Sequence, residues 1–225
     1  MTQDREVPAS TVVLGRDGSG ELEVLMLRRT RGASFAAGAW VFPGGRVDPE
    51  DAGSDALDSV ASARRAAVRE TEEEAGIVID GEQLSVMSRW SPDETAPRRF
   101  LTWMLFGRAP EDAKVVVDGG EIVDHRWLTP AAALREHAAG DIVLLPPTWM
   151  TLTFLARHQT CATAIAEIGA AEIEHFRSRL GKTGEAPVVL WAGDAGYDTR
   201  EAGVPGPRHR LVLAPGAWRY ERTDA

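Results

Sequence analysis

The apolar residues of this chain change period as it proceeds, and each change marks an element. Thr11-Val12-Val13-Leu14 and residues 22–27 are short apolar runs separated by Gly15-Arg16-Asp17-Gly18-Ser19-Gly20, which predicts two strands joined by a turn. From Val60 the repeat lengthens to that of a helix. Val60, Ala63, Ala67, Thr71 and Ala75 fall on one face, Ser54 or Asp55 is the expected N-cap, and Gly76 stands where a left-handed residue stops the helix. Strands are expected at 84–87, 100–107 and Ile122–Leu128. Thr129-Pro130 has the N-cap and N1 chemistry of a helix running to about His137. Pro146-Pro147 precede a helix capped by Thr148. Thr160 caps another, in which Ile165, Gly169, Ile173, Phe176 and Leu180 recur at helical spacing. The tail holds an apolar run at 187–191, a Gly/Pro-rich loop at 193–207 that is either functional or flexible, and a hairpin over 210–220. The order is mixed α/β, not a βαβαβ alternation.

Pointing elsewhere than that Ala/Val face, Glu70, Glu73 and Glu74 of the 60–75 helix stand at i, i+3 and i+4, so three carboxylates share a face. Such crowding is unfavourable by itself, whereas a hard divalent ion wants several oxygen ligands and converts repulsion into coordination. Mg2+ or Mn2+ is the cation this donor set predicts. Glu72 falls off that face and reads as a solvated residue.

The stretch Phe42-Pro43-Gly44-Gly45-Arg46-Val47-Asp48-Pro49, followed by Arg69-Glu70-Thr71-Glu72-Glu73-Glu74-Ala75-Gly76-Ile77, resembles the Nudix box. Gly45, Arg69, Glu70, Glu73, Glu74, Gly76 and Ile77 fit its pattern. Three departures stand out. Asp51 occupies the position of the first Glu, Thr71 replaces an aliphatic, and seventeen residues, 52–68, separate Asp51 from Arg69 where the pattern has seven. The extra ten read as a longer loop and an earlier helix start. Residues 24–29 leading to Gly38-Ala39-Trp40-Val41 also look like the family. The interrupted box, Trp90-Ser91-Pro92, Pro97-Arg98-Arg99-Phe100 and the run from Glu121 to Pro130 are similar to the subset containing peroxisomal coenzyme A diphosphatases.

The resemblance implies an α/β fold: a Nudix α/β/α sandwich with a mixed sheet. Residues 145–225 would form a C-terminal helical and hairpin extension of a single domain spanning 1–225. It implies hydrolysis of the diphosphate in a nucleoside diphosphate linked to another moiety, coenzyme A or an acyl-CoA foremost. ADP-ribose, a dinucleotide or a nucleoside triphosphate are the alternatives, and a non-catalytic nucleotide-binding regulatory module is the rival of a different class. Gly45, Glu70, Glu73 and Glu74 are the expected metal ligands, and Arg69 would orient a carboxylate through charge-assisted hydrogen bonds. The general base is either Glu70 or Glu121, the latter in the acidic segment Asp118-Gly119-Gly120-Glu121.

Composition narrows the partners. At 225 residues, with 44% hydrophobic and 26% charged positions, the chain is expected to bury a core and fold alone or as a homodimer. A formal net charge of −9 disfavours nonspecific binding to nucleic acid or an anionic membrane. No run approaches a spanning segment, no apolar leader is evident, and Cys161 is the single cysteine, so a reducing, cytoplasmic setting is expected. Arg28, Arg29, Arg31, Arg98 and Arg99 are candidate phosphate contacts, each more readily explained as surface charge. Trp40, Trp90, Phe100 and Trp103 read as core before base-stacking platforms. Gly181-Lys182-Thr183 ends like a P-loop, but Phe176 occupies the required first glycine, and the five histidines lack metal-ligand spacing.

Overall fold

The computed structural model describes residues 6–18, 20–33, 36–96, 98–184 and 186–223. The chain start at 1–5, Ser19 of the predicted turn and Pro97 of the 97–100 motif lie outside these residues.

A mixed sheet forms the centre. Strand β1 (Glu6–Asp17) pairs antiparallel with β2 (Leu22–Arg29), and β2 continues to β3 (Trp40–Val41). On its other side β1 runs parallel to β6 (Arg99–Arg108), which pairs antiparallel with β5 (Ser85–Ser91). The short β4 (Gly44–Arg46) also pairs with β1, and β7 (Ile122–Leu128) with β2. The turn expected from Gly15 starts later: Gly15, Arg16 and Asp17 stay in β1, because each finds a partner in β2 at Val24, Glu23 and Leu22.

Helices cover both faces. A short α1 (Pro49–Ala52) precedes α2 (Val60–Ala75), whose small residues Ala63, Ala67 and Ala75 pack on Val12, Leu14, Leu25 and Leu27 of the sheet. Ser59, not Ser54 or Asp55, is the N-cap: its hydroxyl accepts from Ser62 N. The inserted residues are therefore split between α1, a loop and the first two turns of α2. Gly76 closes α2 in the left-handed conformation, φ +67°, as expected. Thr71 is buried, and its hydroxyl donates to Ala67 O at 2.6 Å, which satisfies the polar atom where the family pattern has an aliphatic. On the opposite face lie α3 (Pro130–Ala139), α4 (Pro146–Leu155) and α5 (Cys161–Ala170). Leu145 precedes α4 at the N-cap and Thr148 lies within the helix, since Pro at N1 already suits a helix start. The layers are α/β/α, and none of the described helices is long and apolar enough to cross a membrane.

Beyond α5 the helical reading of 173–180 is wrong. The helix ends at Ala170, and Phe176 and Leu180 lie in β8 (Glu174–Arg177) and β9 (Arg179–Thr183). β8 joins the central sheet parallel to β5, where Phe176, in register with Trp90, stacks on its ring at 4.1 Å. β9 starts a second, antiparallel sheet with β10 (Ala186–Leu190), β11 (His209–Val212) and β12 (Arg219–Arg222). The last two are the expected hairpin. The loop at 193–207 is tied down: buried Arg210 grips buried Asp194 with two bonds of 2.6 Å and donates to Ala202 O.

Candidate active site

Two glycines bring backbone against helix α2. Gly44 adopts φ +155°, and a Cβ there would lie 2.3 Å from Ser10 O, so only glycine fits. At Gly45 an added Cβ would lie 2.4 Å from Glu70 Oε1. The turn thus places Gly44 N where it donates to Glu74 Oε2 at 3.0 Å and sets Gly45 against Glu70.

Arg69 is the hub. Its Nη1 donates to Glu70 Oε1 at 2.8 Å and Glu73 Oε2 at 3.1 Å. Nε and Nη2 hold both oxygens of Asp51 at 3.2 and 2.8 Å, and Nη2 also reaches Arg46 O. These bonds, the one to Asp51 first, push the guanidinium pKa well above its usual value. Asp51 is buried. Burial raises its carboxyl pKa, but Arg69 and the Asp48 N–H outweigh that and hold it below the ordinary value. The insertion loops out and returns Asp51 to Arg69. Arg65 fastens that excursion by donating to Asp51 O, to Ala52 O at 2.7 Å and to Asp55 at 2.7 Å. The spacing Asp48-Pro49-Glu50-Asp51, a capping box with Pro at N1, is the sequence signal that marks this short helix.

The carboxylates differ sharply. Glu74 is buried, and burial pushes its pKa up to about 8 despite the Gly44 N–H and nearby Arg29. Glu70 is also raised, first by burial and then by the charges of Glu73 and Asp48, against the pull of Arg69. Glu73 is exposed and among the described residues bonds only Arg69, while Glu72 is solvated as expected. Among the described residues, no three His, Cys, Asp or Glu side chains form a ready-made metal cage. Arg69 and Arg29 occupy the carboxylates instead. Arg29 Nη2 donates to Glu121 at 2.8 Å, and its Nη1 lies 3.8 Å from Glu74, so Glu121 is drawn towards the cluster from a distant segment. The 118–121 segment is ordered by Asp118, whose carboxylate accepts from the N–H groups of Gly120, Glu121 and Ile122.

The chemistry of this donor set fits a hard divalent cation. Glu70 and Glu74 are crowded carboxylates made reluctant to ionise by burial, and their oxygens are the ligand type such an ion prefers. The other candidates divide. Arg28 pairs with Asp124 at 3.3 Å and Arg99 with Glu6 at 2.7 Å. Trp90 is core, Trp103 donates to Asp58 O at 2.8 Å, and Trp40 is buried with the guanidinium groups of Arg28 and Arg126 over its ring.

Comparison with known proteins identifies relatives of the chain and of its fold. A Mycobacterium tuberculosis protein, provisionally named 8-oxo-dGTP diphosphatase 3, is 32% identical over 72% of this chain and 66% of its own length. A Caenorhabditis elegans protein provisionally named nudix hydrolase 7 is 28% identical over 60% of this chain and 56% of its own. The chain thus spans somewhat under two thirds of these relatives. Among solved structures, a NUDIX hydrolase from Alicyclobacillus acidocaldarius superimposes with a TM-score of 0.67 at 23% identity, over 73% of this chain and 97% of that one. The NUDIX domain of Shewanella oneidensis NrtR, solved with ADP ribose, gives 0.51 at 17%, over 68% and 87%. The model of the NUDIX domain matches residues 5–146, and the chain belongs to that family.

Proposed function

We propose that this chain is a divalent-metal-dependent hydrolase of a nucleotide-type diphosphate. The observation that carries the reading is the placement of Glu70 and Glu74 against the Gly44–Gly45 turn, with Arg69 clamped between Asp51, Glu70 and Glu73. Gly45, Glu70, Glu73 and Glu74 would hold Mg2+ or Mn2+, with Glu73 turning from Arg69 to complete the set. Bound divalent cations supply neutralisation of phosphate charge, which a stable pyrophosphate requires before water can attack. Water forms the new P–O bond, the bridging P–O bond breaks towards the leaving phosphate, and the proton passes to a carboxylate. Glu70 is our choice of base because it lies at the turn, while Glu121 is mostly exposed and bonded to Arg29. Arg69 holds Glu70 in place, and Arg29, which bonds Glu121 and lies 3.8 Å from Glu74, is our candidate contact for a substrate phosphate.

Residues 1–225 are read as one domain with 145–225 as its extension, a reading supported by β8 completing the central sheet. On substrate, a nucleoside triphosphate draws support from the relative named as an 8-oxo-dGTP diphosphatase. Coenzyme A rests on the interrupted box and the downstream motifs, but Trp90 and Arg99 in those motifs serve packing and an ion pair. The solved NUDIX domain complexed with ADP ribose keeps that ligand in view, and Asp51 with the altered box spacing keeps the non-catalytic module as the rival. A panel of coenzyme A, ADP-ribose, NADH, dinucleoside polyphosphates and nucleoside triphosphates, assayed with Mg2+, decides among them. Turnover of one class supports hydrolysis, and binding with no turnover of any would replace it with the regulatory module.

Gly45→Ala is expected to leave the fold intact, because the clash falls on the free end of the Glu70 side chain and not on backbone. Displacing Glu70 should cost roughly 10- to 100-fold in kcat. Steady-state kinetics beside circular dichroism check this, and an unaltered kcat would dissociate Glu70 placement from activity.

A further inference from the structure

We propose that Ser10 is a positioning residue for Glu70, its hydroxyl donating to the Glu70 carboxylate when substrate is bound. The inference rests on the hydrolase reading above. Ser10 is 0% exposed in the middle of β1, and its Oγ has no hydrogen-bond partner among the described residues. A buried hydroxyl left unpaired costs stability, and native chains rarely keep one without a use.

Two features fix where this hydroxyl projects. Strand alternation puts Ser10 on the face of Val12 and Leu14, which pack against α2. Ser10 is also in direct register with Gly45 across the antiparallel β1–β4 pair. Directly opposed residues project to the same face, with Cβ positions about 4.5–5.5 Å apart. A Cβ on Gly45 would meet Glu70 Oε1 at 2.4 Å and Oε2 at 2.8 Å. Ser10 Oγ and the Glu70 carboxylate therefore occupy the same layer between sheet and helix. Glu70 Oε1 accepts from Arg69 at 2.8 Å, whereas Oε2 accepts no hydrogen bond among the described residues. An unused donor and an unused acceptor face a common space. A small shift of Glu70 on loading joins them, fixing the carboxylate from the side that Arg69 does not reach.

The test is a double-mutant cycle on the wild-type chain, Ser10→Ala, Glu70→Gln and the double variant, assayed with Mg2+ and whichever panel substrate turns over. Ser10→Ala is expected to lower kcat about tenfold with KM within about twofold. Its thermal midpoint should be unchanged or higher, because the substitution removes a buried unpaired hydroxyl. Ser10→Thr, which keeps the hydroxyl, should restore most of kcat, and the double variant should lose no more than Glu70→Gln alone. Wild-type kcat in Ser10→Ala overturns the proposal, as do a loss accompanied by a lower midpoint and a loss additive with that of Glu70→Gln. Silence of the wild-type chain on the whole panel overturns the hydrolase reading together with it, whereas an active wild type with an unaffected Ser10→Ala overturns only the role of Ser10.

Discussion

Glu70→Gln is expected to reduce kcat by roughly 10²- to 10⁴-fold, the range over which a positioned general base contributes. The side chain keeps its size, so the contacts of α2 with the sheet persist. What disappears is the charge that Arg69 holds at 2.8 Å beside the glycine turn, and with it both the proposed proton acceptor and a proposed metal ligand. The fold should not suffer. Burial already raises the Glu70 pKa, so an uncharged amide relieves a cost even as it loses part of its bond to Arg69. Glu72→Gln, two residues on, off the shared face and exposed, should stay within about twofold of wild type by the usual tolerance of surface positions. Steady-state kinetics and thermal unfolding of both variants check the pair of expectations. Comparable losses in the two would mean that the acidic face has been misplaced.

Arg210→Met is expected to destabilise the chain by about 3–5 kcal/mol, the cost of leaving one member of a buried ion pair uncompensated. Asp194 would then keep only the N–H groups of Gly196 and His209, at 2.8 and 2.9 Å, and Ala202 O would lose its donor. Urea unfolding measures the loss, and replacing Asp194 by Asn in the same background should recover part of it, since the amide removes the uncompensated charge and keeps an oxygen for a buried N–H group. A change below about 1 kcal/mol would contradict the assigned role of the pair as the clasp of the 193–207 loop. The pH dependence has a definite sign. Burial raises the Asp194 pKa, but Arg210 and the two N–H groups hold it below the ordinary 3.8. A depressed carboxyl pKa means that the native state favours the charged form, so this contribution is complete at neutral pH. It fades only as the pH falls below about 4 towards the folded-state value.

These residues also show where sequence reading succeeds and where it stops. The glycine turn and α2 were legible because their information is local: a 3.6-residue period, a stop glycine and carboxylates at i, i+3 and i+4. The start of α2 was misplaced because Ser54, Asp55 and Ser59 are all competent caps, and only Ser59 meets the helix as the loop delivers it. Asp51 was harder. Its bond to Arg69 spans an insertion whose path is fixed by Arg65 gripping Asp51 O and Ala52 O, a tertiary fact with no sequence period. The C-terminal error has a plain cause. Phe176 and Leu180 continue the helical spacing of Ile165 and Gly169, but Phe176 gains more by stacking on Trp90 across a parallel strand pair. Long-range pairing overrode local period there, as it commonly does for short strands.

The most direct measurement is calorimetric titration of Mn2+ into the wild-type chain and into Glu74→Gln, each with a non-hydrolysable nucleotide diphosphate present. Saturable binding to the wild type that weakens by at least tenfold in Glu74→Gln is the result expected if the buried carboxylates at the Gly44–Gly45 turn hold the cation. No uptake by the wild type, or equal affinity in the variant, would contradict it.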